Sequence, residues 1–273
     1  MKGKMYLTLL ALPWLCIAAI SLSAFGMEGW IEIRQTSSTT FPICIDRPGN
    51  YVLLSNLMMS KPAVPCILIT ADDVILDLQG QNLIGPDGGE KYEGSAGIQV
   101  SGNTNITVKN GTVKGFFYGV CLSGGNHEIA CINACGNNTG IKAEFSTVTH
   151  CTGNDNVSQG IEAKDCNLIN CKADQNGTYG LKAESCTIIG CTAEQNGSHG
   201  LYSLGKCRVE ECTLKQNGKY GLYLSQGHSY AVKNVISDNV SGNIYLDDLH
   251  YLSTSNDESC MHSDLISETT IAE

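Results

Sequence analysis

Two columns of aromatic side chains are the residues of this sequence best placed to bind another molecule. Tyr202, Tyr223 and Tyr245 form one series and Tyr179, His199 and Tyr220 another, each recurring at nearly the same interval, with Asn243-Ile244 standing where a Gly-Leu pair stands one interval earlier. On a chain that repeats at that interval they form two neighbouring stripes on one face. A sugar ring can lay its apolar face on such a stripe and keep its hydroxyls free for hydrogen bonds. The competing reading is structural, because stacked tyrosines also stabilise the last rungs of a repeat.

Groups for bond-making chemistry are sparse. Glycoside hydrolysis needs carboxylates paired across a bond, and Asp72-Asp73 is an acidic pair with no companion motif. A lyase needs a base and cations to neutralise a uronate, yet the arginines are only Arg34, Arg47 and Arg208. His127, His150, His199, His228 and His250 fall at unrelated places in the repeat, and no C-x-x-C pair occurs, so no metal-ligand cluster is visible. Catalytic residues stay unassigned, and neither a metal nor a cofactor is expected. With 17 Lys plus Arg against 27 Asp plus Glu, the net charge of −10 argues against a nucleic-acid partner.

The element that must position these residues is a repeat. A glycine followed by an apolar residue recurs at a near-constant interval in Gly97-Ile98, Gly119-Val120, Gly140-Ile141, Gly160-Ile161, Gly180-Leu181, Gly200-Leu201 and Gly221-Leu222. Nine residues before these glycines runs a cysteine column, Cys131, Cys151, Cys171, Cys191 and Cys212, and five residues earlier a second, Cys166, Cys186 and Cys207. Asn156, Asn176, Asn196 and Asn217 form a further column, read as a corner ladder of side chains bonded to one another and to the turn backbone. Within Gly160 to Tyr179, the positions Ile161, Ala163, Cys166, Leu168, Cys171 and Ala173 make three i, i+2 pairs, each a short strand with two inward side chains. A helical unit would instead show i, i+3, i+4 spacing. The spacing predicts an all-β fold, a single-stranded parallel β-helix (solenoid) with coils of about 20–22 residues.

The cysteine ladders are expected as reduced, buried, small apolar side chains, since stacked residues sit about 4.8 Å apart, beyond the usual Cβ separation of a disulfide. One bridge is expected, if anywhere, among Cys121, Cys131 and Cys135; Cys44, Cys66 and Cys260 have no assignment. On the outward face, Lys142, Glu162 and Lys182 alternate beside Glu144, Lys164 and Glu184, a checkerboard that predicts an ion-pair lattice. The sequons at Asn105, Asn110, Asn137, Asn156, Asn176, Asn196 and Asn239 arise from the corners of the repeat and do not indicate glycosylation.

These repeats, with the entry segments Ile45–Leu53 and Ile69–Gly80, resemble right-handed parallel β-helix proteins of the pectate-lyase-like superfamily, particularly its NosD-like short-repeat group. The resemblance implies the right hand of the solenoid. It leaves activity open, because that superfamily holds polysaccharide lyases, epimerases, hydrolases and non-catalytic surface proteins. Its hydrolases carry Gly-His-Gly, of which Gly227-His228-Ser229 is only a partial echo.

Lys2 and Lys4 before the apolar run Met5–Phe25 predict a signal peptide over 1–26 and an exported protein with no stable membrane span after cleavage. An N-terminal cap and entry coil is expected over 27–60, the parallel β-helix over 61–248, and a polar tail over 249–273. The function expected is a non-catalytic binding or scaffold module of the envelope or extracellular space, with polysaccharide or an envelope component as partner. A polysaccharide-active enzyme and a purely structural surface protein are the alternatives.

Overall fold

The structure is a computed structural model that describes residues 29–60, 63–86 and 94–247 and the short strand Tyr251–Leu252. The expected leader, 1–26, lies outside the described residues; of the expected tail, only Tyr251–Leu252 is described, paired in parallel with Tyr230–Val232. Every described element is a β-strand and every pairing is parallel, building a right-handed β-solenoid of about 10 turns. Among the described residues no helix is long and apolar enough to cross a membrane.

Three sheets form the walls, of 13, 10 and three strands. In the ten-stranded sheet the residue after each repeat glycine stacks in register, Ile141 on Ile161, Leu181, Leu201, Leu222 and Ile244. Val148, Leu168, Ile188 and Val209 stack likewise in the largest sheet. These side chains fill the bore as one continuous core, all of them buried except Ile244, which is partly buried against its end. Each coil is too thin to hide its own apolar face, so stability comes from neighbouring coils covering one another.

The corners explain the polar columns. In the coil that begins at Ile161 the chain bends at Asp165, Asn170 and Gln175, whose φ values are 51°, 52° and 58°. Each bend is followed by an inward Cys166, Cys171 or Asn176. At a bend the backbone N–H leaves the strand ladder and must find another acceptor. That acceptor is the side chain one coil on: Cys166 N–H donates to Cys186 Sγ at 3.4 Å, Cys171 N–H to Cys191 Sγ at 3.4 Å, and Asn176 N–H to Asn196 Oδ1 at 2.9 Å. The thiols then donate to carbonyls of the coil before, Cys186 Sγ to Ala163 O at 3.5 Å or to Glu184 O at 3.2 Å within its own coil. Thus the cysteines are hydrogen-bonding corner posts, not merely small apolar filler. Other short acceptors serve at the same positions: Ser229 Oγ accepts Cys207 N–H at 3.2 Å, Asn234 Oδ1 accepts Cys212 N–H at 2.9 Å, and His127 Nδ1 accepts Ile106 N–H at 3.3 Å.

The asparagine column is longer than its repeat motif, running from Asn137 through Asn156, Asn176, Asn196 and Asn217 to Asn239. Each Nδ2 also donates, as Asn196 does to Ala173 O and to Asn217 Oδ1 at 3.0 Å. The repeat glycines follow from this packing. A Cβ on Gly180 would lie 2.6 Å from Asn196 Nδ2 and 2.7 Å from Ala173 O.

Cys131 does not join the buried column. It is exposed with φ 54°, a bend residue in line with His150 and Asn170. The coil from 132 to 151 is one residue short, so Ile132 takes the inward place and its N–H donates to Cys151 Sγ at 3.5 Å. The expected bridge among Cys121, Cys131 and Cys135 is also not formed, as all three are free thiols. Burial raises the Cys66 thiol far above its ordinary range and, with the neighbouring Cys171, pushes Cys151 up to about 12.

Candidate functional site

The ten-stranded sheet carries two kinds of outward face. Over the middle coils, Lys182 Nζ lies 2.9 Å from Glu162, Lys164 Nζ 2.7 Å from Glu184 and Lys142 Nζ 4.0 Å from Glu162. Their cations are committed to neighbouring carboxylates, so this stretch offers little to an anion.

The charges end at Tyr202, the register partner of Lys182. From there the column reads Tyr202, Tyr223 and Tyr245, paired strand to strand. Tyr179, His199 and Tyr220 stand beside it, and the structure brings all six rings into one contiguous cluster. His199 is buried between Tyr179 and Tyr220, 5.7 Å from each ring centre with planes 8° and 12° apart. Its Nδ1 accepts the Tyr220 N–H at 3.2 Å. Burial, and then the charge of Lys219, push its pKa down to about 4, so it is a neutral imidazole at pH 7. Tyr223 lies 5.1 Å from Tyr202 and 4.4 Å from Tyr245.

The rings of this cluster contact one another within and between the two columns. The rings of the Tyr179–His199–Tyr220 column are stacked on one another, with planes 8° and 12° apart, while Tyr202 and Tyr223 are tilted by 33°. Strand spacing accounts for the stacking: outward side chains about 4.8 Å apart fill the gap best when flat rings lie parallel. A glycine in the sequence marks where the stack ends. Gly242 is the register partner of Tyr220, so the Tyr179–His199–Tyr220 column stops at a residue without a side chain.

The candidate catalytic groups are dispersed. Asp72 Oδ1 accepts Thr104 N–H at 2.8 Å and Asn103 Nδ2 at 3.2 Å, bonds that hold its carboxyl below the usual range, while Asp73 Oδ1 accepts Asn105 Nδ2 at 2.8 Å. Arg34 and Arg208 lie against Glu32 and Glu210, at 3.4 and 2.6 Å. His228 is exposed, and His250 lies outside the described residues. Among the described residues no three His, Cys, Asp or Glu side chains group as metal ligands would.

Coils, corner ladders and sheet arrangement together define a right-handed parallel β-helix. A family model described as a right handed beta helix region matches residues 182–264, the stretch that carries most of the aromatic cluster. Among solved structures, the Dettilon tailspike protein is similar with a TM-score of 0.59 at 13% identity, over 85% of this chain and 60% of that one. The periplasmic alginate epimerase AlgG is similar at 0.51 and 12%, over 77% and 76% of the two chains. The enzymatically active domain of tailspike protein 2 from bacteriophage CBA120 is similar at 0.51 and 14%, over 77% and 43%. The chain thus spans about 60% of the length of the Dettilon tailspike. At these identities the likeness is one of fold. No curated protein matches the sequence.

Proposed function

We propose that this chain is an exported, non-catalytic β-helix module that binds polysaccharide at the aromatic end of its ten-stranded sheet. The observation that carries the reading is the change along one outward face, from paired charges to six clustered rings over the last coils. Such a cluster supplies flat apolar area and phenol hydroxyls together, the combination that sugar rings require. The similar folds, an alginate epimerase and phage tailspikes, fit a carbohydrate role and leave the reaction open. One observation favours a second reading, in which the ladder is structural: the inner rings stack on one another.

The test is an array of neutral and uronic-acid polysaccharides probed with the purified protein, with retention and release of unsaturated or reducing-end products scored in the same wells. Retention without products, lost in Tyr202→Ala/Tyr223→Ala, is the expected result. Product release would make the chain an enzyme. No retention, with a lowered melting temperature in the double variant, would leave only the structural ladder.

A further inference from the structure

Away from the aromatic cluster, one exposed ring occupies a backbone position that does not suit it. Phe145 is 53% exposed, more than any other Phe, Tyr or Trp among the described side chains. It stands at a bend with φ 47°. Among the described non-glycine residues with positive φ most are Asn, Asp or Gln, and Phe145 is the one Phe, Tyr or Trp. Asn and Asp suit that region because a short polar side chain bonds the local backbone, whereas a phenylalanine ring brings no such bond and its Cβ crowds the following carbonyl. An asparagine would serve the fold better here, so a strained ring left to solvent points to a role outside folding.

Its neighbours in the bend column are polar. Register places Asn126 one coil before it and Asp165 one coil after, each about 4.8 Å away along the axis. Asn126 Nδ2 donates to Asn105 Oδ1 at 2.6 Å and Asn105 Nδ2 to Asp73 Oδ1 at 2.8 Å, an exposed amide ladder that runs up to the ring and stops there. The corner is also stepped. The chain uses more residues to round it between Ile98 and Ile106, and between Val120 and His127, than between Ile141 and Ser146, so the two earlier coils project past the coil of Phe145. Pairing shifts register at Ser123/Gly124 in the projecting pair, and a Cβ on Gly125 would find no atom within 4 Å, so the rim of the step is bare backbone.

An exposed ring at the foot of a step, with a side-chain amide on one side and a carboxylate on the other, has the parts that hold a single pyranose: a flat apolar platform, and hydrogen-bonding groups for the hydroxyls around it. The charges choose among sugars. Glu144 and Asp165 stand next to the ring, and Lys164, the cation beside Asp165, is held by Glu184 at 2.7 Å, so a uronate would meet negative charge. We propose that Phe145 is the platform of a second sugar site, which takes one residue of a neutral glycan and discriminates against uronates. The site rests on the carbohydrate reading above for its class of ligand and is independent of the aromatic cluster in its position.

A single stacked ring holds a sugar only at about millimolar concentration, too weakly for retention on an array, so the test is a saturation-transfer NMR titration with maltose, cellobiose and the dimer of mannuronic acid. Phe145→Asn puts into the bend the residue that its neighbours use. It should melt roughly 2–4 °C higher by circular dichroism while affinity for maltose or cellobiose falls about tenfold, and Phe145→Trp, which keeps a platform, should bind like the parent. A lower melting temperature in Phe145→Asn would make the ring structural and overturn the proposal, as would unchanged affinity. Uronate binding as tight as that of the neutral sugars would overturn the neutral-sugar assignment. The same titrations in Tyr202→Ala/Tyr223→Ala separate the two sites: binding kept there and lost in Phe145→Asn belongs to Phe145, whereas binding lost there and kept in Phe145→Asn overturns this site and leaves the cluster as the sugar site. No disaccharide binding by the parent overturns this site and leaves the polysaccharide array to decide the other.

Discussion

Replacing Cys186 separates two accounts of the cysteine ladder. Its Sγ accepts the N–H of Cys166 at 3.4 Å and donates to a carbonyl, Ala163 at 3.5 Å or Glu184 at 3.2 Å. Cys186→Ala leaves the buried Cys166 N–H without an acceptor, which costs about 1–3 kcal/mol. It also deletes one buried heavy atom, about 1 kcal/mol by analogy with removing a methyl group. The sum, about 2–4 kcal/mol, should lower the melting temperature by roughly 5–15 °C in a chain of this size. Cys186→Ser keeps donor and acceptor, and the chain already uses serine here, since Ser229 Oγ accepts Cys207 N–H at 3.2 Å and donates to Gly205 O at 2.9 Å. Serine should therefore cost about 1 kcal/mol or less. Thermal and urea unfolding followed by far-UV circular dichroism under reducing conditions gives the order. If the thiol were only apolar filler, a buried hydroxyl would be worse than a methyl, and alanine would be the milder change. A serine variant no more stable than the alanine variant would refute the corner-acceptor account.

Asn196→Asp should be among the most damaging ladder changes: the new carboxylate loses the donor bonds to Ala173 O and Asn217 Oδ1 and faces those oxygens unpaired, so at pH 7 it should cost about 3 kcal/mol or more, read as the urea midpoint. Stability should also depend on His199. Its pKa falls from an ordinary 6.5 to about 4 on folding, so between those values the unfolded chain binds the extra proton, and the contribution is full above 6.5 and lost progressively as pH drops toward 4. His199→Phe, which keeps the stack, should flatten that part of the stability–pH curve; an unchanged slope would assign it to other groups. Ellman's reagent on the native protein should lose one fast equivalent in Cys131→Ser, since Cys131 is exposed, whereas Cys171→Ser should change only the thiols released by denaturant.

Much of the fold is legible in the sequence because the solenoid writes its geometry as spacing. Evenly spaced glycine-apolar pairs correspond to the stacked register from Ile141 to Ile244 without a break. What spacing misleads on is local. Cys131 stands one repeat before Cys151 and has the spacing of a ladder member, but one coil is a residue short, and a shift of one at a bend turns a side chain from the bore to solvent. A periodicity argument counts cysteine with the hydrophobic residues, which hides the thiols' role as acceptors. Ser146, Ser229, Asn234 and His127 in the same columns are the available signal that the position wants an acceptor. Ring orientation is beyond reach, since spacing fixes where a Cβ stands and not how its χ angles turn the ring.

The rungs of the aromatic cluster are not equivalent. In the interior of a solenoid every side chain has an equivalent neighbour above and below, and a ladder that stabilises one rung consumes the groups that could bind a foreign molecule. Asparagine amides, thiols, lattice charges and inner ring faces are all engaged in this way. Groups become available only where a column is interrupted. The Tyr179–His199–Tyr220 column is interrupted at Gly242, and the Tyr202–Tyr223–Tyr245 column ends three residues further along the same strand, the last of its sheet. Substitution of His199, stacked between Tyr179 and Tyr220, should therefore cost more stability than substitution of Tyr245, which is 36% exposed on the last strand of its sheet.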